Sequence, residues 1–498
     1  MAMKRSSGIL MPIFSLPSNY GIGTIGKCAY DFIDFLYESN QKYWQVLPVG
    51  PISYGNSPYQ SFSTFAGNPY FIDLDLLIEE GMLTFDDVCK IDWGSDKETI
   101  DYGKIYEHRY DVLKIAYKNG LKSYRNEFET FKEENDKWLK EYALFMACKR
   151  HFDMKAWMDW PDELLRLHDD ETCNIYREKL HHDVELFEFI QYLFYKQWDI
   201  MMRYAHSKGI EIIGDVPIYV ALDSSDVWSE PQWFDLDKDN KPVALSGCPP
   251  DAFSATGQLW GNPLYRYDRM KEDGYGWWIR RIEGALKLFD VIRIDHFRGF
   301  EAYWSVPYPA ENAIHGQWIK GPGMDLIGIL NTWFDHPQYI AEDLGTLTPE
   351  VIQLVKDSGL PGMKILEFAF DTREPGNYMP YTYTENSICY IGTHDNAVLK
   401  QWKEELPKED LQYAMDYLGI KNEDELVWGM VCVGMSSVSR LFIAQMQDYL
   451  ELGAFSRINT PSTADGNWMW RMKENAIHPE LINKIAHLTE LYGRAFHK

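Results

Sequence analysis

Short apolar runs that end in an acid recur through the second half of this chain, separated by helical patterns. VIRID stops at Asp295, YIAED at Glu342 and CYIGTHD at Asp395, and EIIGDVPIYV carries Asp215 in the same way. Between them lie segments such as WWIRRIEGALKLF and PEVIQLVKDSG, whose apolar residues recur at helical spacing. Alternating buried strands and helices make an α/β protein with a parallel sheet, and eight such units close into a (β/α)8 TIM barrel. A barrel delivers the C-terminal ends of its strands to one mouth, so acids distant in sequence can meet in one pocket. Any one of these acids could be a helix N-cap or a surface carboxylate. Four at matching strand ends point to a site.

The 498 residues fit one catalytic barrel domain enlarged by mainly helical insertions. Residues 1–75 are rich in Gly, Pro, Ser and Tyr around one expected strand, YWQVLPVG, followed by a long loop, SYGNSPYQSFSTFAGNPY. From about 76 to 208, charged amphipathic patterns such as NEFETFKEENDKWLKEYALFMACKRHF predict a helical insertion, within which the second barrel strand should be hidden. Strand–helix alternation resumes at Glu211 and runs to about Asn396. It is interrupted by SGCPPDAFSATGQLWGNPLY at 246–265, expected to be an active-site loop. After residue 397 helices dominate, and INTPSTADGNWMWRM reads as a final loop over the mouth.

A formal charge of −26 without a basic cluster argues against nucleic acid and anionic membrane surfaces as partners, and suits a neutral polar substrate. Seven widely spaced cysteines with no Cys-x-x-Cys fit reduced thiols in a cytoplasm better than a zinc knuckle or a disulfide framework. Prolines break the apolar stretch of MAMKRSSGILMPIFSLPS, and no run approaches the roughly 18 apolar residues of a membrane span.

Glycosyl transfer through a covalent intermediate needs one carboxylate as nucleophile and another, kept protonated, as acid for the departing oxygen. Arg293 and Asp295 lie two apart on one strand and so face the same way, which lets a guanidinium keep Asp295 ionised. Glu342 sits in an apolar run where desolvation would raise its pKa, whereas Asp343 should point to the opposite face as a structural group. His394 and Asp395 at a strand end could grip sugar hydroxyls and support positive charge at the sugar ring. The two long loops mix aromatics with polar groups, as sugar sites require: Tyr54, Ser57, Tyr59 and Gln60 in one, Asp251, Phe253, Gln258, Trp260 and Asn262 in the other. Residues 21–26, GIGTIG, match a dinucleotide-binding fingerprint formally. No strand directly precedes them and no acid-ended strand follows at the expected distance.

Taken in order, SGILMPIFSLPSNYGIG, PVGPISYGNSPYQSFSTFAGNPYFIDL, GDVPIYV, PPDAFSATGQLWGNPLY, VIRIDHFRGF, IAEDLG, GTHDN and GNWMWRM resemble the amylomaltase or 4-α-glucanotransferase family (disproportionating enzyme, glycoside hydrolase family 77), a relative of the α-amylases. The resemblance covers nearly the whole chain in the short bacterial form. It implies a nucleophile at Asp295, an acid/base at Glu342 and a transition-state-stabilising acid at Asp395. Asp215, Arg293 and His394 would contact the sugar at the cleavage point, with Ser57, Tyr59, Gln258 and Trp260 lining donor and acceptor subsites. The implied reaction is retaining transfer of an α-1,4-glucan segment to the 4-hydroxyl of glucose or a maltooligosaccharide, without metal or organic cofactor. Two departures bear on acceptor choice: Ala252 stands where many members carry Tyr in PPDYFS, and THDN runs into AVLKQW without the usual acid and threonines. Rival readings are an α-glucan hydrolase, a silent glucan-binding scaffold and a nicotinamide oxidoreductase using GIGTIG. The sequence leaves monomer or homodimer open.

Overall fold

Eight parallel strands close into a barrel in the computed structural model, which describes residues 3–53, 55–250, 254–335, 337–345, 347–373, 376, 378–463 and 465–497. In chain order they are β1 (Ser6–Leu10), β2 (Tyr43–Gln45), β3 (Glu211–Pro217), β4 (Val291–Asp295), β5 (Gln338–Ala341), β6 (Gly362–Ile365), β7 (Ser387–Tyr390) and β8 (Leu441–Gln445). Each pairs with its neighbour in sequence, and β8 closes onto β1.

Period-two alternation sorts the side chains. Ile213, Val291, Ile340, Ile388 and Ile443 pack inside the barrel, while Ile212, Ile292, Tyr339, Cys389 and Phe442 join the larger core between strands and helices. Two residues beyond the apolar interior layer, the same inward rows carry Asp215, Arg293 and Glu342. A barrel can bury charges there only if they pair, since an isolated buried ion costs several kcal/mol or more.

The second strand is not hidden in the helical segment. YWQ is itself β2, and β1 is the serine- and glycine-bearing SSGIL, whose apolar signal is too weak to mark a strand. Gly8 is required in β1 because a Cβ there would collide with the Tyr43 backbone. Residues 246–265 also differ from the expected loop. Ala244–Cys248 and Gln258–Pro263 are antiparallel strands that join Ala302–Pro307 and Gln317–Lys320 in a separate four-stranded sheet. The alternation was obscured by Gly247, Gly257 and Gly261 and by the prolines at 249 and 250.

Among the described residues of 76–208 lie the helices Tyr102–Gly120, Asp136–His151 and His181–Ser207. The last positions the 48–73 loop. Gln191 accepts from the Gly67 N–H (2.7 Å) and donates to its carbonyl (2.9 Å), and Gln197 does the same for Asp73 (2.7 and 3.0 Å). Two buried amides thus satisfy backbone groups that a loop otherwise leaves exposed. The GIGTIG turn is filled from within. The Asp73 carboxylate accepts from Thr24 Oγ1 at 2.6 Å and occupies the space beside Gly26 at the head of helix Lys27–Glu38, where a dinucleotide phosphate would sit. Among the described residues no helix is long and apolar enough to cross a membrane.

Candidate active site

Strand register sets the geometry of the first wall. Asp215 pairs with Arg293, and Pro217 with Asp295; Ile294 pairs with Ala341, so Glu342 stands level with Asp295. Asp215 lies two residues inside β3 rather than at its end, Glu342 directly follows β5, and Asp395 lies five residues past β7 in a loop.

Arg293 is the hub. Its Nη1 donates to both Asp215 oxygens (2.8 and 2.7 Å) and to Asp295 Oδ1 (2.9 Å). Tyr59 donates its hydroxyl to Asp215 Oδ2 at 2.8 Å and stacks on the His394 ring at 5.2 Å. His394 Nε2 lies 3.3 Å from Asp395 Oδ1, which also accepts from Asn459 Nδ2 at 2.6 Å. Glu342 accepts from the backbone N–H of His296 (2.7 Å) and of Leu344 (2.8 Å). Contacts therefore run without a break from Asp295 through Arg293, Asp215, Tyr59 and His394 to Asp395, and Glu342 joins them through the backbone of His296, the residue after Asp295.

These groups differ in exposure. The Asp215 side chain is 0% exposed and Arg293 4%, whereas Asp295 is 28% and Asp395 46% exposed. Asp215 and Arg293 are framework for the more open acids.

Burial pushes Glu342 up, against the pull of Arg293 and its two N–H donors. Burial also raises Asp295, with Asp215, Glu342 and Asp395 adding to it, while the touching guanidinium pulls it back. Asp295 contacts the Arg293 cation directly, whereas Glu342 accepts from two backbone N–H groups. Desolvation lowers His394, and it lowers His296 to about 3, so both imidazoles are neutral at pH 7.

Around this chain, Trp260 meets the His296 ring edge-on at 4.7 Å and donates Nε1 to Gln258 Oε1 at 3.1 Å. Gln60 bridges the two long segments by donating to the Trp260 carbonyl and to Asn262 Oδ1, both at 3.3 Å. Ser57 Oγ accepts from the Tyr59 N–H at 3.3 Å, a turn contact outside the carboxylate chain. Asp343 accepts from the Met363 N–H at 2.7 Å and leaves the pocket, as its place in the strand predicts. Tyr54, Asp251, Ala252 and Phe253 lie outside the described residues.

Four participants were not singled out in the sequence. His296 adopts a left-handed backbone (φ 53°) that turns the chain away directly after Asp295. Asn459 and Arg457 fix Asp395 through its carboxylate and its carbonyl (2.8 Å), and Trp468 packs within 6 Å of both Tyr59 and His394. The only available signal for Asn459 and Trp468 was their position in INTPSTADGNWMWRM.

The family model of glycoside hydrolase family 77, described as 4-alpha-glucanotransferase, matches residues 11–477. The 4-alpha-glucanotransferase of Clostridium butyricum is 48% identical over 486 residues, covering 97% of this chain and all of the relative. That of Streptococcus pneumoniae is 46% identical over 493 residues, covering 99% of this chain and 98% of the relative. The amylomaltase of Streptococcus agalactiae, solved in complex with acarbose, superposes with a TM-score of 0.97 at 43% identity, covering 99% of this chain and 100% of that one. The chain belongs to the 4-alpha-glucanotransferase family, glycoside hydrolase family 77.

Proposed function

We propose that this enzyme transfers α-1,4-glucan segments between maltooligosaccharides with retention at the anomeric carbon, through a glycosyl ester on Asp295. The observation that carries the reading is the asymmetry of two level carboxyls: Asp295 touches Arg293, while Glu342 is buried and touches no cation among the described residues.

In the first step Glu342 gives its proton to the glycosidic oxygen and the Asp295 carboxylate bonds to C1 as the C1–O bond breaks, releasing the reducing-end fragment as an alcohol. In the second, Glu342 removes the proton from an acceptor 4-hydroxyl, whose oxygen attacks C1 and frees Asp295. The net number of glycosidic bonds is unchanged. Asp395, held by Asn459 beside His394, places negative charge near the oxocarbenium-like ring of both transition states. Asp215 and Arg293 act by fixing Asp295 and Tyr59, and neutral His394 is free to bond sugar hydroxyls. Ser57, Gln258 and Trp260 belong to the subsite walls in this reading, with the Trp260 ring as a platform for an apolar sugar face.

Incubation with maltotriose alone tests this. Free glucose plus a ladder of longer glucans, at constant total reducing ends, is the expected result. Rising reducing ends would make the protein a hydrolase, and no change would overturn both readings.

A further inference from the structure

Glu342 is gripped by the turn that leaves β4. Its own N–H donates to the Ile294 carbonyl at 3.1 Å, the Phe297 N–H donates to its carbonyl at 3.1 Å, and the His296 N–H donates to its Oε2 at 2.7 Å. Leu344 supplies a further N–H, to Oε1 at 2.8 Å. Each carboxyl oxygen thus accepts one backbone donor, which fixes the plane of the group and leaves an outer position on each oxygen for a proton.

The N–H groups of His296 and Phe297 flank one Cα, so the φ and ψ of His296 set their directions relative to each other. Both converge on Glu342 because His296 is left-handed, at φ 53° and ψ 43°. A side chain other than Gly, Asn or Asp is seldom found there, and such a backbone persists only where its surroundings hold it. Phe297 is buried in the core and bonded through its backbone, so if residue 296 left this region the peptide carrying its own N–H would turn away from Oε2. The ring acts elsewhere: it meets Trp260 edge-on at 4.7 Å, and a Cβ on Gly299 would come within 3.0 Å of its Cδ2. Burial, and then Arg298, lower the imidazole to about 3, so it brings no charge to Glu342.

We propose that His296 is a positioning residue, whose left-handed backbone aims an N–H at Glu342 and so fixes the direction in which that carboxyl gives and takes a proton. The role rests on the acid/base reading of Glu342 given above. Charged and titratable groups that face Glu342 are Arg293 and Asp295 on β4, Arg298 in the following turn, Asp343 beside it and Tyr378. None of them changes when residue 296 is replaced. An N–H bond favours the ionised carboxyl, so its loss raises Glu342 further and moves the alkaline limb of the rate profile to higher pH.

The test compares His296→Asn, which tolerates the left-handed region, with His296→Val, whose branched Cβ does not. Both lose the ring, so its contact with Trp260 is removed equally. The pH dependence of kcat/KM for maltotriose is measured for the parent, both variants and Glu342→Gln. The limb of the asparagine variant is expected within about 0.3 pH units of the parent, and that of the valine variant about one unit higher, with kcat about tenfold below the asparagine variant. His296→Ala should fall between the two, and it carries the comparison where the valine variant does not fold. A limb at the parental pH in the valine and alanine variants, or one displaced equally in the asparagine variant, would overturn the role. A limb that persists in Glu342→Gln would strike the acid/base reading instead, while a limb lost there but unmoved by the His296 variants would strike His296 alone.

Discussion

The two walls of the active-site mouth are built differently. On one, Asp215, Arg293, Asp295 and Glu342 come from β3, β4 and the end of β5, and parallel register sets their heights to within a residue. On the other, Asp395 lies five residues beyond β7 and is held by Asn459 and Arg457, from a segment more than sixty residues further on. The first wall is closed and charge-paired. The second is open, with Asp395 nearly half exposed, and it rests on buried carboxyls: Asp448 accepts from the Leu399 N–H at 2.8 Å, and Glu367 lies against Gly392. Strand-borne groups gain precision from the barrel ladder, while loop-borne groups depend on side-chain bonds that single substitutions remove. The comparison teaches that the proposed bond-forming groups sit where the backbone is least adjustable, and the proposed charge support where it is more so.

The sharpest break is Asp295→Asn, which removes the proposed nucleophile but keeps an acceptor for Arg293. Maltotriose disproportionation should fall on the order of 10⁴-fold or more with the thermal midpoint little changed. Activity near the parent level would remove Asp295 from the reaction.

Next is Glu342→Gln, expected to cost about 10²–10⁴-fold in kcat. The pH profile carries the sign. In the proposed reaction the parent needs this carboxyl protonated, and burial raises its pKa, so activity should decline as pH rises through that raised value. The residual activity of the glutamine variant should lose this alkaline limb, and a limb that persists would assign it to another group.

The second wall is probed by Asn459→Ala, which frees the Asp395 carboxylate from its 2.6 Å donor. A loss of about tenfold in kcat is expected, well short of the Asp295 effect. A loss as large as that of Asp295→Asn would erase the distinction between the walls.

The smallest effect concerns stability. Burial pushes Asp448 up to about 7 and leaves its Oδ2 without a partner among the described residues. Between its unfolded value near 4 and about 7, the unfolded chain ionises this carboxyl while the folded chain keeps its proton, so stability falls as pH rises across that window. Asp448→Asn should therefore unfold a few °C higher than the parent at pH 8, a gain of about 1–2 kcal/mol, with no difference near pH 4. Equal midpoints at both pH values would refute the buried penalty.

Much of the first wall was legible before folding. Inward alternation along VIRID places Arg293 and Asp295 on one face, and the apolar run before Glu342 foretells its burial. Harder cases had physical causes. SSGIL is too short and too polar to announce a strand, and glycines and prolines hid the hairpin at 244–263. Asn459 carries no periodic signal, because its partner is chosen by a loop crossing the mouth.

By itself the sequence determined the barrel class, the three acids as candidates and the family, since period-two strands, strand-end carboxylates and ordered motifs are local properties. Tertiary structure alone decided that Arg293 is shared by Asp215 and Asp295, that Asp73 fills the GIGTIG turn and that Asn459 holds Asp395. Apart from the step of two between Arg293 and Asp295, which one strand sets, these contacts join residues 49 to 78 positions apart in ways only closure of the chain can select, because pairing of buried charges is settled by which groups lose water together.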